Sequence, residues 1–141
     1  MGTIVCGIDD SRGAAEALRV ASALSERLQL RLVLVHVAPG FRTAEGADSV
    51  TAVQARTGAE GLVERIAKKH IANGSVDKRA EVGDPAEVLA QIAAEESADL
   101  IVLGSRRRRR KLVSGLAAGL STVAPCPVVV VPPAARLAVR G

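Results

Sequence analysis

The chain has 141 residues, 48% hydrophobic and 24% charged, which is enough for one domain with a substantial core and too little for two. Phe41 is its only aromatic residue, which argues against the ring-stacking platforms that bind single-stranded nucleic acid. The net charge of +4 comes from one basic stretch, Arg106 to Lys111, which holds six of the 19 basic residues. The rest of the chain has 13 basic and 15 acidic residues and is therefore slightly acidic.

Targeting signals and metal-binding patterns are not visible in the sequence. The longest apolar run, residues 128–133, falls far short of the roughly 20 residues that cross a bilayer. No basic segment followed by a long apolar one stands at the N-terminus, so we expect a cytoplasmic protein without a membrane anchor. Cys6 and Cys126 fit a reducing compartment, and neither has His or Cys neighbours at metal-ligand spacing.

The first half of the chain alternates apolar runs with helical patterns. Residues 3–8 predict a buried strand that ends at Asp9. Residues 14–28 predict an amphipathic helix with Leu28 on its inner face, and residues 30–37 predict a second strand rich in β-branched residues.

A longer helix is predicted over residues 48–72, although Gly58 and Gly61 each weaken it by up to about 1 kcal/mol relative to Ala. The residues expected on its inner face are Val53, Leu62, Val63 and Ile66. Residues 76–82 are more polar and predict a short strand at an edge of the sheet.

The second half of the chain repeats the alternation. Asp84 is placed to cap a third helix, and Pro85 suits its first position. Residues 100–103 predict a fourth buried strand, residues 112–123 a last helix, and residues 128–131 a fifth strand.

Strands and helices that alternate in this way are typical of an α/β fold with a parallel sheet covered on both faces. Right-handed crossovers then give a doubly wound open sheet, which we assign to residues 1–133, with a loosely ordered tail over residues 134–141. Ligands of such sheets bind beyond the carboxyl ends of the strands, where the strand order reverses. The candidate ligand loops are Asp9-Asp10, His36 to Pro39, Gly83-Asp84 and the segment from Gly104 onward.

Several segments resemble those of universal stress proteins, in the same order along nearly the whole chain. They are IVCGIDDS at residues 4–11, LVHV at 34–37, GDP at 83–85, ADLIVLGSR at 98–106 and APCPV at 124–128. The resemblance implies a five-stranded, Rossmann-like fold of the adenine-nucleotide α-hydrolase type with strand order 3-2-1-4-5. It also implies a homodimer that pairs through the last strand, Val128 to Val131, whose apolar edge is otherwise left open.

One branch of that family binds ATP through a loop of the pattern Gly-x2-Gly-x9-Gly-Ser/Thr after the fourth strand, whose backbone N–H groups close on phosphate oxygens. Gly104 matches the first glycine, but Arg107 stands at the second. Counting forward puts the final pair at residues 117–118, which are alanines, whereas counting back from the last turn puts it at Ser114 and Gly115. The pattern is broken by either count.

The resemblance also implies roles for single residues. It places Asp9 in the pocket for adenine and ribose and the backbone of Val37 at the adenine edge. The phosphates of ATP or another adenine nucleotide would then face the rest of the predicted binding set, Gly104, Arg106, Arg107, Ser114 and Gly115. The structural alternatives are that Asp9 only ends a strand and that Val37 is an ordinary strand valine.

The basic stretch has three interpretations. It is a solvated loop, as charge runs usually are; or its guanidinium groups hold the phosphates that backbone amides would have held; or it contacts nucleic acid or another polyanion. Without aromatic residues or a recognisable reading helix, we do not expect sequence-specific recognition of nucleic acid.

The sequence contains no catalytic motif. His36 could act as a general base, but no Ser or Cys nucleophile accompanies it, and a histidine at a buried strand end is usually packed. His70 is expected to be exposed, and Cys126, between two prolines, is expected to be packed rather than reactive. We therefore expect a non-enzymatic stress-response domain with no catalytic residues and no metal. A weak nucleotide hydrolase and a polyanion-binding module are the rivals.

Overall fold

The computed structural model describes residues 2–9, 12–39, 49–71, 76–104 and 115–132. The strands are β1 Thr3–Gly7, β2 Arg31–Pro39, β3 Asp77–Gly83, β4 Leu100–Gly104 and β5 Val128–Val131. The helices are α1 Arg12–Leu28, α2 Ser49–His70, α3 Pro85–Glu95 and α4 Gly115–Val123. Every predicted element is present, with small shifts at its ends. The first residues predicted for the last helix and the tail predicted for residues 134–141 lie outside the described ranges.

The strands form one sheet in which all neighbours run parallel, in the order β3-β2-β1-β4-β5. β1 is central, and its Val5 pairs with Val33 of β2 on one side and with Ile101 of β4 on the other. The predicted doubly wound α/β fold with strand order 3-2-1-4-5 is confirmed. The polar strand β3 lies at an edge, as predicted.

Side chains alternate between the two faces of the sheet, and a pair of helices covers each face. On one face, Ile4 and Cys6 join buried residues of α1 and α2 in one apolar cluster. On the other face, Val5 and Leu103 join buried residues of α3 and α4. Burying each large aliphatic side chain stabilises the fold by about 1.5–3 kcal/mol. A strand covered on both faces therefore needs a continuous run of such residues.

Two apolar side chains that helical spacing placed inside are exposed, Val53 to 66% and Leu28 to 54%, so that part of the prediction is wrong. A helix turns by about 100° per residue, so Val53 lies about 120° around α2 from the buried Ala59. Leu28 is the last residue of α1, and Leu30 packs against the core there instead. The other residues predicted on the inner face of α2 are buried or partly buried: Leu62, Val63 and Ile66.

An ion cluster lies at the amino-terminal ends of the strands. It is formed by Arg31, Asp77, Arg79, Glu95 and Glu96. Arg31 pairs with Asp77 at 2.9 Å and also with Glu96, and Arg79 pairs with Glu95 at 2.8 Å. Hydrogen bonds to Glu96 and Glu95 raise the pKa of Arg31 and Arg79, and the bond from Arg79 lowers the pKa of Glu95. Because the side chains are partly exposed, each pair contributes modestly. The cluster ties the starts of β2 and β3 to the end of α3.

None of the helices in the described part of the chain is long and apolar enough to cross a bilayer.

Candidate functional site

A cavity of about 260 Å³ opens at the carboxyl ends of the strands. Its lining comes from the ends of three strands and the starts of three helices. The residues from the strand ends are Gly7, Ile8, Asp9, Val35, His36, Val37, Pro39, Leu103 and Gly104. The residues from the helices are Ala14 of α1, Pro85 and Leu89 of α3, and Gly115 and Leu116 of α4.

The cavity lies where the strand order reverses. After β1 the chain passes through α1 to β2 on one side, whereas β4 lies on the other side of β1. The connections leaving neighbouring strands at such a point run in opposite directions and leave a crevice between them. This explains why loops from distant parts of the sequence meet here.

Four of the predicted binding residues line this cavity: Asp9, Val37, Gly104 and Gly115. Asp9 follows β1, Val37 lies in β2, and Gly104 ends β4. The remaining three, Arg106, Arg107 and Ser114, lie outside the described residues. The binding role of all seven stays a prediction.

Two hydrogen bonds position the end of β1. The Ile8 N–H donates to the carbonyl oxygen of Val35 at 2.8 Å, which extends the parallel ladder one residue beyond the strand. The Nδ1 atom of His36 lies 2.7 Å from the carbonyl oxygen of Ile8. Because both groups of Ile8 are held by β2, Asp9 leaves the sheet at a defined place beside Val37. His36 is thus half-buried and hydrogen-bonded at the cavity, and His70 is exposed as predicted.

Gly104 is required where β4 meets α1. A Cβ atom at this position would lie 2.3 Å from the carbonyl oxygen of Gly13 and 3.0 Å from the amide nitrogen of Ala14. Both neighbours are backbone, so a flexible side chain cannot move aside to make room. Sequence reasoning gave Gly104 a phosphate-binding role, and the structure adds a steric reason for a glycine here, independent of any ligand.

Three helices begin at the cavity, and each helix N-terminus carries a partial positive charge. Ala14 lies in the first turn of α1, Pro85 opens α3, and Gly115 opens α4. The Asp84 carboxylate caps α3 by accepting the Glu87 N–H at 3.1 Å, as its place in the sequence predicted. Neither Gly83 nor Asp84 is part of the cavity lining, so the prediction of a ligand loop at these two residues is wrong; the next residue, Pro85, lines the cavity instead.

The walls of the cavity are mainly aliphatic. Val35, Leu89, Leu103 and Leu116 line it, and sequence reasoning did not include them in the site. They belong to the face that α3 and α4 cover. The available signal was position for Leu103, near the carboxyl end of β4, and for Leu89 and Leu116, near the starts of α3 and α4; Val35, in the middle of β2, gave no such signal. Such walls suit a flat apolar ring system held without aromatic stacking.

The thiols show no sign of reactivity. Complete burial raises the pKa of Cys6 to about 12. Partial burial, with a smaller effect from the nearby Asp99 charge, raises the pKa of Cys126. The thiolate is the reactive form, so both side chains behave as small apolar residues at neutral pH. Among the described residues, no group of three or more His, Cys, Asp or Glu side chains could hold a metal ion.

Comparisons with known proteins agree with this architecture. The family model described as the universal stress protein family matches residues 1–132. No curated protein sequence matches the chain. A solved structure from Burkholderia pseudomallei, described as a member of the universal stress protein family, is 27% identical with a TM-score of 0.69, and the match covers 93% of this chain and 96% of that one.

Two further solved structures are similar in fold. A universal stress protein in complex with cAMP has a TM-score of 0.69 and 20% identity, over 92% of this chain and 96% of that chain. The universal stress protein of Archaeoglobus fulgidus in complex with dAMP has a TM-score of 0.62 and 21% identity, over 92% and 97%. At such identities these two support the fold alone, whereas the family model covers nearly the whole sequence. The chain belongs to the universal stress protein family.

Proposed function

We propose that this chain is a non-enzymatic stress-response domain that binds an adenine nucleotide in the cavity at the carboxyl ends of its strands. The observation that carries the proposal is the meeting of Asp9, Val37, Gly104 and Gly115 around one cavity at the reversal of strand order. The four residues come from four separate segments of the chain, and three helix N-termini add positive potential for an anion.

The chemistry of the cavity fits the parts of a nucleotide. Aliphatic walls of Leu89, Leu103 and Leu116 would receive the base, and the Val37 backbone would meet its edge. The Asp9 carboxylate accepts hydrogen bonds, as ribose hydroxyls require. Similar folds hold cAMP and dAMP, which makes an adenine nucleotide the first choice.

The phosphate side of the site differs from the ATP-binding pattern. Gly104 and Gly115 both line the cavity, and the ten residues between them in the sequence contain the basic stretch. We expect guanidinium groups, Arg106 and Arg107 first among them, to replace the missing glycine amides, since arginine pairs bidentately with phosphate.

A thermal-shift series with ATP, ADP, AMP and cAMP tests the proposal. We expect at least one of these nucleotides to raise the Tm of the wild-type protein at millimolar concentration, because a ligand that binds only the folded state stabilises it. Asp9→Asn should abolish the rise. Asp77→Asn is the matched control and should leave the rise in Tm intact, because Asp77 lies at the amino-terminal ends of the strands, opposite the cavity. No shift with any nucleotide contradicts the proposal.

The absence of catalysis is part of the proposal. Among the described residues, no Ser, Thr or Cys lines the cavity beside His36, and no group of side chains could hold a metal ion. The measurement is phosphate release from ATP in the presence of Mg²⁺, which should not exceed the rate without protein. Turnover that disappears on changing Asp9 or His36 would make the protein a hydrolase instead.

A polyanion-binding module is the second candidate, favoured by the concentration of positive charge in the basic stretch. It predicts retention on heparin that falls steeply with salt and is lost when residues 106–111 become Ser or Gly. Retention that survives this change contradicts that candidate. We further propose a cytoplasmic location and a homodimer that pairs through β5.

A further inference from the structure

The inner end of the cavity is a row of three residues paired across neighbouring strands. Gly7 of β1 is level with Val35 of β2 on one side and with Leu103 of β4 on the other, and all three line the cavity. The residues of the row two positions further into the sheet are fully buried and outside the cavity lining: Val33, Val5 and Ile101. The cavity therefore ends at the row of Gly7.

Gly7 has no Cβ atom at the centre of this row, and two leucine side chains occupy the space. A Cβ atom at Gly7 would lie 2.8 Å from Cδ2 of Leu103 and 3.3 Å from Cδ1 of Leu89. Both leucines are 2% exposed, and both line the cavity. Leu89 belongs to α3 and Leu103 to β4, so a helix and a strand together close the inner end over the backbone of Gly7.

These side chains, rather than the backbone conformation, explain the glycine. Gly7 is not among the described residues with a positive φ angle, so a residue with a side chain could adopt its strand conformation. Glycine weakens a strand, and in a strand it often marks a place that other atoms approach closely. At Gly7 those atoms are the ends of flexible leucines, whereas at Gly104 they are backbone. The depth of the cavity therefore depends on the size of the two leucines.

We infer that Leu89 and Leu103 are specificity-determining residues, which restrict the ligand to a base without a bulky substituent on its inner edge. The inference rests on the proposed nucleotide function, in which the phosphates face the cavity mouth and the base points inward. The six-membered ring of a purine lies on the far side from the sugar, so a group on N6 would meet the two leucines. A close-packed aliphatic wall has no room for added carbon atoms unless it is displaced. The site would thus accept AMP and reject AMP that is alkylated on N6.

Calorimetric titration with AMP and N6-isopropyl-AMP tests this inference. The alkylated nucleotide keeps one N6–H donor, so the two ligands differ mainly in size. The wild-type protein should bind AMP at least about tenfold more tightly, because overpacking a filled site is costly. Leu89→Ala removes an isopropyl group from the wall, so N6-isopropyl-AMP should then bind within about twofold of AMP. An undiminished preference for AMP in this variant overturns the inference.

Ile92→Ala is the matched control for Leu89→Ala. Ile92 lies on the same helix and is also 2% exposed, but it does not line the cavity. Its truncation weakens the fold to a similar extent and should keep the preference for AMP. Loss of the preference in both variants would mean that loosening α3, rather than room beside the base, decides the selection, and it would overturn the inference.

A second substitution changes the cavity in the opposite direction. In Gly7→Ala, the new methyl group must push Leu103 and Leu89 aside, and the open space beside them is the cavity. AMP should therefore bind about fivefold or more weakly. Gly61→Ala, where nothing lies within 4 Å of the added atom, should keep the wild-type affinity. Unchanged AMP affinity in Gly7→Ala contradicts a role for the two leucines in setting the depth of the site.

Methyl NMR of the wild-type protein provides a readout that does not depend on the folding of variants. The base of a bound nucleotide carries a ring current, so AMP should shift the δ-methyl resonances of Leu89 and Leu103. Leu34, buried on the opposite face of the sheet, should show no comparable shift. Equal affinity of the wild type for the two nucleotides, or unshifted Leu89 and Leu103 methyls in a protein that binds AMP, overturns the inference and leaves nucleotide binding intact. No binding of either nucleotide overturns both.

Discussion

The lack of a Cβ atom at Gly104 allows β4 and α1 to approach each other closely. The carbonyl oxygen of Gly13 lies 2.3 Å from where a Cβ of residue 104 would be. The glycine was noticed in the sequence because it matches a phosphate-loop pattern. Its steric role was not predictable, because it depends on how far α1 lies from β4. Val53 was mispredicted for a related reason, since its side of α2 faces solvent.

Replacing Gly104 with alanine should lower the free energy of unfolding by about 1–3 kcal/mol, because the new methyl group must displace backbone. Gly61→Ala is the matched control. Nothing lies within 4 Å of a Cβ at Gly61, and alanine suits a helix better, so this change should stabilise the protein by up to about 1 kcal/mol. Chemical denaturation measures both values. Equal stability of Gly104→Ala and wild type would show that α1 can move away from β4.

At the scale of elements, most of the fold could be predicted. Continuous Val, Ile and Leu runs indicated the strands, and Asp84 with Pro85 indicated the start of α3, because local chemistry decides both. α2 continues through two glycines because its packing against the sheet outweighs their weak helix propensity. The ion cluster was not predicted, since Arg79 and Glu95 lie 16 residues apart and meet only after α3 folds back.

The ion cluster makes stability depend on pH. Its hydrogen bond from Arg79 lowers the pKa of Glu95 below 4.5, so the ionised carboxylate stabilises the folded state above that pH and the benefit is lost as the pH falls through the lowered value. Glu95→Gln should therefore have a lower Tm than wild type at neutral pH, and the difference should vanish in strong acid. Thermal unfolding across that range measures it, with the exposed Glu26→Gln as control. A difference that persists in acid would exclude the ion pair as its cause.

At the scale of the whole molecule, the two edge strands of the sheet, β3 and β5, differ in polarity. Each charged side chain of β3 has an ion-pair partner; the pairs are Asp77–Arg31, Lys78–Glu64, Arg79–Glu95 and Glu81–Arg56. β5 consists of four valines, and Val130 is 43% exposed. Charged edges resist pairing with another strand, whereas apolar edges favour it. The polar β3 and the apolar β5 were both readable from the sequence.

Val130→Lys should convert the proposed dimer to a monomer of 14.5 kDa, because a charge would be buried in the interface between two β5 strands. Val53→Lys is the control, since Val53 is 66% exposed on α2, which packs on β2 and β3 at the other side of the sheet from β5. Light scattering coupled to size exclusion measures the mass. A wild-type protein that is already monomeric, or a Val130→Lys protein that stays dimeric, would contradict pairing through β5.

The ion cluster and the cavity lie at opposite ends of the same parallel strands. Strands of five residues, such as β1 and β4, span about 16 Å, and effects of changes that far apart usually add independently. Substitutions around the cavity mouth should therefore leave the ion cluster at the amino-terminal ends of the strands unchanged. Such a scaffold tolerates extensive substitution at one end of its strands, and Arg107, at a position where the ATP-binding pattern has glycine, is a change of that kind.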